Sequence, residues 1–167
     1  YSYSWTYSVQ YRDAMGDPVQ EVGDAVSLQY LQDGDAGYDY DDGQGTAIVW
    51  SQLWDNDVTL TGLETDSRVM QGSGGYDLDY TVTSGENTQS YDLSTRWETQ
   101  GSGVVYPVDG CPSGTIRFFF DPYYMNVVFD GSSTASYTLY DGNGDEVPGG
   151  SGTEPLLSIK NLNVKFY

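Results

Sequence analysis

The sequence predicts an all-β protein: a single antiparallel β-sandwich domain over residues 1–167, with about nine to eleven strands. Three observations lead there. Bulky and small polar residues alternate over many short stretches, the period of a strand and not of a helix. Tyrosine, which packs well on a pleated, half-buried surface, occurs 16 times. Gly, Asp, Asn and Ser collect between the alternating stretches, as turn residues do. A β-barrel is the other architecture with this pattern.

The elements follow in chain order. "YSYSWTYSVQY" places Tyr1, Tyr3, Trp5, Tyr7, Val9 and Tyr11 on one side of a strand, and Ser2, Ser4, Thr6, Ser8 and Gln10 on the other. Val26, Leu28 and Tyr30 alternate next. "GTAIVWSQLW" is more uniformly apolar and reads as a strand buried on both faces. Val58 and Leu60 alternate with threonines. "YDLDYTVT" sets Tyr76, Leu78, Tyr80 and Val82 against Asp77 and Asp79, and Tyr91, Leu93 and Trp97 oppose Asp92, Arg96 and Glu98. Then come Ile116, Phe118 and Phe120; Met125, Val127 and Phe129; Ala135, Tyr137 and Leu139. Leu157 and Ile159 change phase to Leu162, Val164 and Phe166, which suggests a β-bulge near Asn161.

Five Asp-Gly pairs, at 33–34, 42–43, 109–110, 130–131 and 141–142, read as tight turns, since both residues tolerate positive φ. "GSGG" at 72–75 and "GGSG" at 149–152 read as flexible connectors. No stretch carries a helical apolar stripe, so any helix is a single turn, near "DSRVM" or "DPYYM". No apolar run is long enough to span a membrane as a helix.

The segment from "YPVDGCPSGTIRFFF" through "NVVFDGSSTASYTLYDGNGDEV", residues 105–147, resembles the C-terminal part of uncharacterised exported or lipoprotein-type bacterial β domains. The resemblance implies an envelope location and no activity. Cys111 is internal and follows no hydrophobic stretch, so it does not match a lipoprotein anchor.

Charge narrows the partners. With 25 acidic and six basic residues, the formal net charge is −19, which repels nucleic acid and anionic lipid. Cys111 is the only cysteine, so no intrachain disulfide forms. The chain opens on Tyr1 and not on Met, which together with its composition suggests export to the cell surface or the extracellular space, with the periplasm as the other compartment.

Chemistry is sparse. The chain has no histidine, which removes the commonest general base and, with one cysteine, the usual zinc sites. Paired carboxylates of a glycosidase would need only two Asp or Glu, and so many acids make that criterion empty. Calcium is the better candidate. Asp141, Asn143 and Asp145 alternate in "DGNGDE", and Asp33, Asp35 and Asp39 lie in "DGDAGYDYDDG" with Asp41 and Asp42; the plainer reading makes these Asp residues turn formers. Trp54 and Trp50 are candidates for stacking on pyranose rings, against a plainer role in the core. Tyr1, Tyr3, Trp5 and Tyr7 either fill the domain's own core or, on a strand free to detach, complete a neighbouring sheet. The expectation is a non-catalytic subunit of an extracellular filament, surface layer or envelope complex, partnered by itself or by another envelope protein. A carbohydrate-binding module, aided by Ca2+, is the second expectation.

Overall fold

In a computed structural model, which describes residues 1–156, the chain is all-β and antiparallel. Ten strands form one sheet: β1 (Ser2–Arg12), β2 (Ser27–Asp41), β3 (Thr46–Thr61), β4 (Ser67–Ser84), β5 (Asn87–Thr99), β6 (Val104–Pro107), β7 (Ser113–Phe120), β8 (Tyr123–Asp130), β9 (Thr134–Tyr140) and β10 (Glu146–Pro155). The order is β1-β2-β3-β4-β5-β7-β8-β9-β10, an up-and-down meander. β6 continues the lane of β5. β4 pairs with β5 as far as Ser73↔Glu98 and with β6 from Met70↔Val104, and the four residues 100–103 bulge out between them. A 3-10 turn, Val22–Asp24, lies between β1 and β2.

The strands alternate as predicted, and the register shows which residues share a face. One face carries Tyr3, Trp5, Tyr7 and Val9 of β1, then Tyr30 and Tyr38 of β2, Trp50, Trp54 and Val58 of β3, and Tyr76, Leu78 and Tyr80 of β4. It continues through Trp97, Phe118, Met125 and Leu139. The core lies on this face at one end only. Val58, Met70, Val104, Val127, Phe129 and Ala135 form the buried cluster, with Val104 wholly enclosed; Tyr30, Leu60, Trp97, Ile116, Phe118 and Leu156 pack on it. These residues come from strands spread across most of the sheet, so the sheet coils around its own apolar face and acquires the layered packing of a sandwich there.

β2 to β5 are 15, 16, 18 and 13 residues long, about 43–59 Å at ~3.3 Å per residue. Their far ends run past the core. Residues 2–7, 32–41, 46–56, 74–84 and 87–96 make a five-stranded blade with no residue in the core cluster or packed on it.

Several local expectations change. Asp33-Gly34 and "GSGG" lie inside β2 and β4, and "GGSG" lies inside β10. At Gly34, Gly74 and Gly152 a facing group occupies the space of a side chain, whereas Gly149, at φ 75°, lies in the register break of β10. A Cβ on Gly34 would overlap the Trp54 indole, and one on Gly74 would lie 2.5 Å from Trp97 Nε1 and 2.6 Å from the Asp55 carbonyl. β3 is not buried on both faces: Val49 and Leu53 point to the outer face and are exposed. "DSRVM" opens β4 and "DPYYM" leads into β8, so neither forms a helical turn. The phase change near Asn161 and the strands at 157–167 lie outside the described residues.

Candidate functional site

The blade is built from sequence alternation, and its two faces differ in chemistry. The ring face holds Tyr3, Trp5, Tyr7, Tyr38, Tyr40, Trp50, Trp54, Tyr76, Leu78, Tyr80, Tyr91 and Leu93, with Gln32, Gln52 and Asn56 among them. It has no charged residue within the blade. The opposite face carries Asp33, Asp35, Asp39, Asp41, Asp55, Asp77, Asp79 and Asp92, with Ser, Thr, Arg96 and the exposed Val49 and Leu53 among them. Period two sends every acid of β2 to β5 in this region to one side.

The rings are incompletely covered. Tyr1 is 83% exposed, Tyr3 54%, Trp5 46% and Tyr7 61%. The expectation that these residues fill the core is therefore corrected: they share one side of the strand, as alternation requires, but β1 lies beyond the reach of the coiled end. The strand is also not a free end, because β1 pairs with β2 from Ser2↔Gly37 to Arg12↔Ser27. Its other edge is unpaired from Ser2 to Gln10 among the described residues; at Tyr11 the carbonyl accepts from the Val19 N–H at 3.0 Å, beside a bridge between Arg12 and Pro18. Trp50 and Trp54 are half-buried on the ring face, outside the core cluster. The Trp54 indole lies over Gly34 on the neighbouring strand, with the Tyr3 ring 6.4 Å away and tilted 34°. Trp5 and Tyr7 stack at 5.1 Å, and Tyr38 and Tyr40 lie nearly parallel at 6.3 Å.

The same device recurs. Gly34 faces Trp54, Gly74 faces Trp97, and Gly152 faces Tyr137; in each pair the ring occupies the place of the missing side chain. Sequence reasoning passed over these pairs. The available signal was glycine at positions where the alternation calls for a large apolar residue.

The acidic face places like charges side by side. Asp33 is directly opposite Asp55, and Asp79 is opposite Asp92. Such pairs destabilise a sheet. Arg96 is the cation set among them: it grips Asp77 with Nη2···Oδ2 at 2.7 Å and Nη1···Oδ1 at 3.0 Å. That guanidinium, and then the Ser94 hydroxyl donating at 2.6 Å, hold Asp77 below the usual carboxylate range. Asp77 and, more weakly, Asp55 raise Arg96 in turn.

The calcium candidates are not gathered around a common point. Asp33, Asp35 and Asp39 project from one face of an extended strand, roughly 7 Å apart for each two residues. Asp141 Oδ1 accepts from the backbone N–H of Asn143 at 2.9 Å and of Asp145 at 3.0 Å, so its carboxylate closes the turn. The Asp145 and then the Asn143 N–H lower its pKa. Asp42 does the same in the β2–β3 turn, where Thr46 and Gln44 N–H groups lower it. Among the described residues no three carboxylates converge to hold a metal.

The two edges of the sheet are built differently. β10 carries Pro148 and Pro155, Glu146 and Glu154, and a register break between Glu146 and Ser151. β1 pairs without a break, and 2–11 contain no proline and no charge. Prolines, charges and bulges keep sheet edges from pairing with other chains; one edge has all three and the other has none. Among the described residues, the class defined by these features is an open antiparallel meander with one guarded edge, one largely unguarded edge and a two-faced blade. No family model, no curated protein and no solved structure matches the chain.

Proposed function

We propose that this chain is a non-catalytic structural subunit that assembles through its β1 edge, outside the cell or at its surface, in a filament, surface layer or envelope complex. The observation that carries the reading is the contrast between the edges: among the described residues β10 is protected three ways, while β1 from Ser2 to Gln10 offers an uncharged row of backbone donors and acceptors. An added strand pairs along such an edge by main-chain hydrogen bonds, and side chains at alternate positions supply selectivity. Here those are Tyr3, Trp5 and Tyr7, next to Tyr1. The acidic face keeps assembled copies in solution, and the resemblance at residues 105–147 agrees with an envelope setting.

Two adjacent proline substitutions test this. Along an antiparallel edge strand, successive N–H groups point alternately to the partner and outward. Of Thr6→Pro and Tyr7→Pro, one therefore removes a bond to β2 and the other an outward donor. The outward variant is expected to keep its circular dichroism spectrum and lose assembly, read by sedimentation velocity and negative-stain imaging at micromolar concentration. Assembly unchanged in a folded proline variant of each kind would overturn the reading, as would a wild-type chain that stays monomeric.

A second reading is favoured by one observation. The Trp54 indole lies along the sheet over Gly34, beside Tyr3, in the open arrangement on which a pyranose ring stacks. Glycan-array binding lost in Trp54→Ala and retained in the outward proline variant would favour a carbohydrate-binding module.

A further inference from the structure

We propose that the ring face of the blade is covered by the same face of a second copy of this chain, so that two blades close into an intermolecular sandwich. This rests on the assembly reading and adds a second contact to it. Size is the first argument. Five strands at ~4.8 Å spacing and about ten residues at ~3.3 Å give a face of about 800 Å², which equals one partner's share of a standard stable interface. It also exceeds the apolar patch, about 300–600 Å², that a typical soluble monomer exposes.

Charge is the second argument, and it selects the occupant. Two copies of a −19 chain repel wherever their acids approach. The ring face is broad and has no charge within the blade, whereas Asp33, Asp35, Asp55, Asp77, Asp79 and Asp92 all lie on the far side. Stacked sheets sit about 10 Å apart, so the two acidic faces are turned outward and separated by well over the ~8 Å screening length at physiological salt. A charged partner finds no ion to pair with on this face. Shape is the third. Two copies carry the same twist, the condition for aligned packing of sheets.

Neighbouring residues on opposite faces provide the test. Gln52 is at the centre of the ring face, between Ala36 and Leu78; Ser51 points to the acidic face, between Gly37 and Asp79. Gln52→Glu and Ser51→Glu add the same charge. The outward proline variant is the background, so that edge assembly does not mask the dimer. By sedimentation equilibrium, Gln52→Glu is expected to raise the dimer dissociation constant about 100-fold, as an unpaired charge at an interface centre does, and Ser51→Glu to change it less than about threefold. Leu93→Glu, at an exposed position on the same face, repeats the test if Gln52→Glu fails to fold. Equal effects of the two glutamates, or a monomeric background chain whose ring face is protected from hydrogen exchange by its own residues 157–167, would overturn the inference. A wild-type chain that assembles yet ignores Gln52→Glu sinks only this inference, and a wild-type chain that never associates sinks the assembly reading with it.

Discussion

Gly74→Ala separates a structural glycine from a flexible one. If "GSGG" were a connector, alanine would stabilise the fold by about 0.4–1 kcal/mol through the unfolded chain. In β4 the new methyl meets three groups instead: the Asn56 side-chain oxygen, Trp97 Nε1 at 2.5 Å and the Asp55 carbonyl oxygen at 2.6 Å. The Trp97 N–H donates to Asn56 Oδ1 at 3.2 Å across this glycine, and that bond, worth about 1 kcal/mol, is lost when the indole moves. Overpacking against backbone adds about 1–3 kcal/mol. Subtracting the chain-entropy gain leaves a net loss of about 1–3.5 kcal/mol. Gly34→Ala is the comparison. There the nearest atoms belong to the Trp54 ring alone, which can tilt into solvent. Uncovering about 40 Å² of ring costs about 1 kcal/mol and is nearly cancelled by the same entropy gain. Urea unfolding followed by tryptophan fluorescence and circular dichroism reads both variants. Gly74→Ala as stable as the wild type, or Gly34→Ala the more damaging of the two, would refute the reasoning.

Three further outcomes are expected. Asp42, Asp77, Asp130 and Asp141 all have carboxyl groups held below their ordinary value of 3.8, by turn N–H groups, by the Ser132 hydroxyl at Asp130 and by Arg96 at Asp77. Lowered folded pKa values stabilise above the unfolded value, so their contribution is complete above about pH 4–5 and is lost as pH falls through the folded values; thermal melts at descending pH check this. Arg96→Met is expected to destabilise by about 0.2–1 kcal/mol at low salt and by nothing measurable in 1 M NaCl, and wild-type stability is expected to rise with salt because Asp33–Asp55 and Asp79–Asp92 repel. Asp141→Ala removes the acceptor for two turn N–H groups and is expected to lower the urea midpoint, as the loss of a helix cap does, with calcium making no difference.

Alternation made the strands legible. Tyr3, Trp5 and Tyr7 share a side because side-chain direction is local, and no distant contact alters it. What covers that side is not local. Val58 and Trp54 lie four residues apart on the same face of β3, yet Val58 is buried and Trp54 only half-buried, because the coiled end of the sheet reaches one and not the other. The glycines misled for a related reason. Gly34 and Gly74 look like breaks in a single line of sequence and become strand positions only when Trp54 and Trp97 arrive from the next lane. Of the two readings open for Asp141, the turn former is local, since its partners are two and four residues away, whereas the place of Asp33 depends on β1 and β3. The Arg96 grip on Asp77, 19 residues apart, needed the register to be seen.

Sorting all the blade's acids to one side and its rings to the other has a consequence beyond assembly. A sheet one layer thick with a wet side and an oily side is a molecular raft. Spread on water, such a chain is expected to lie flat at the surface with Trp5, Trp54 and Tyr91 toward the air and its aspartates in the liquid, and a surface-tension measurement reads it.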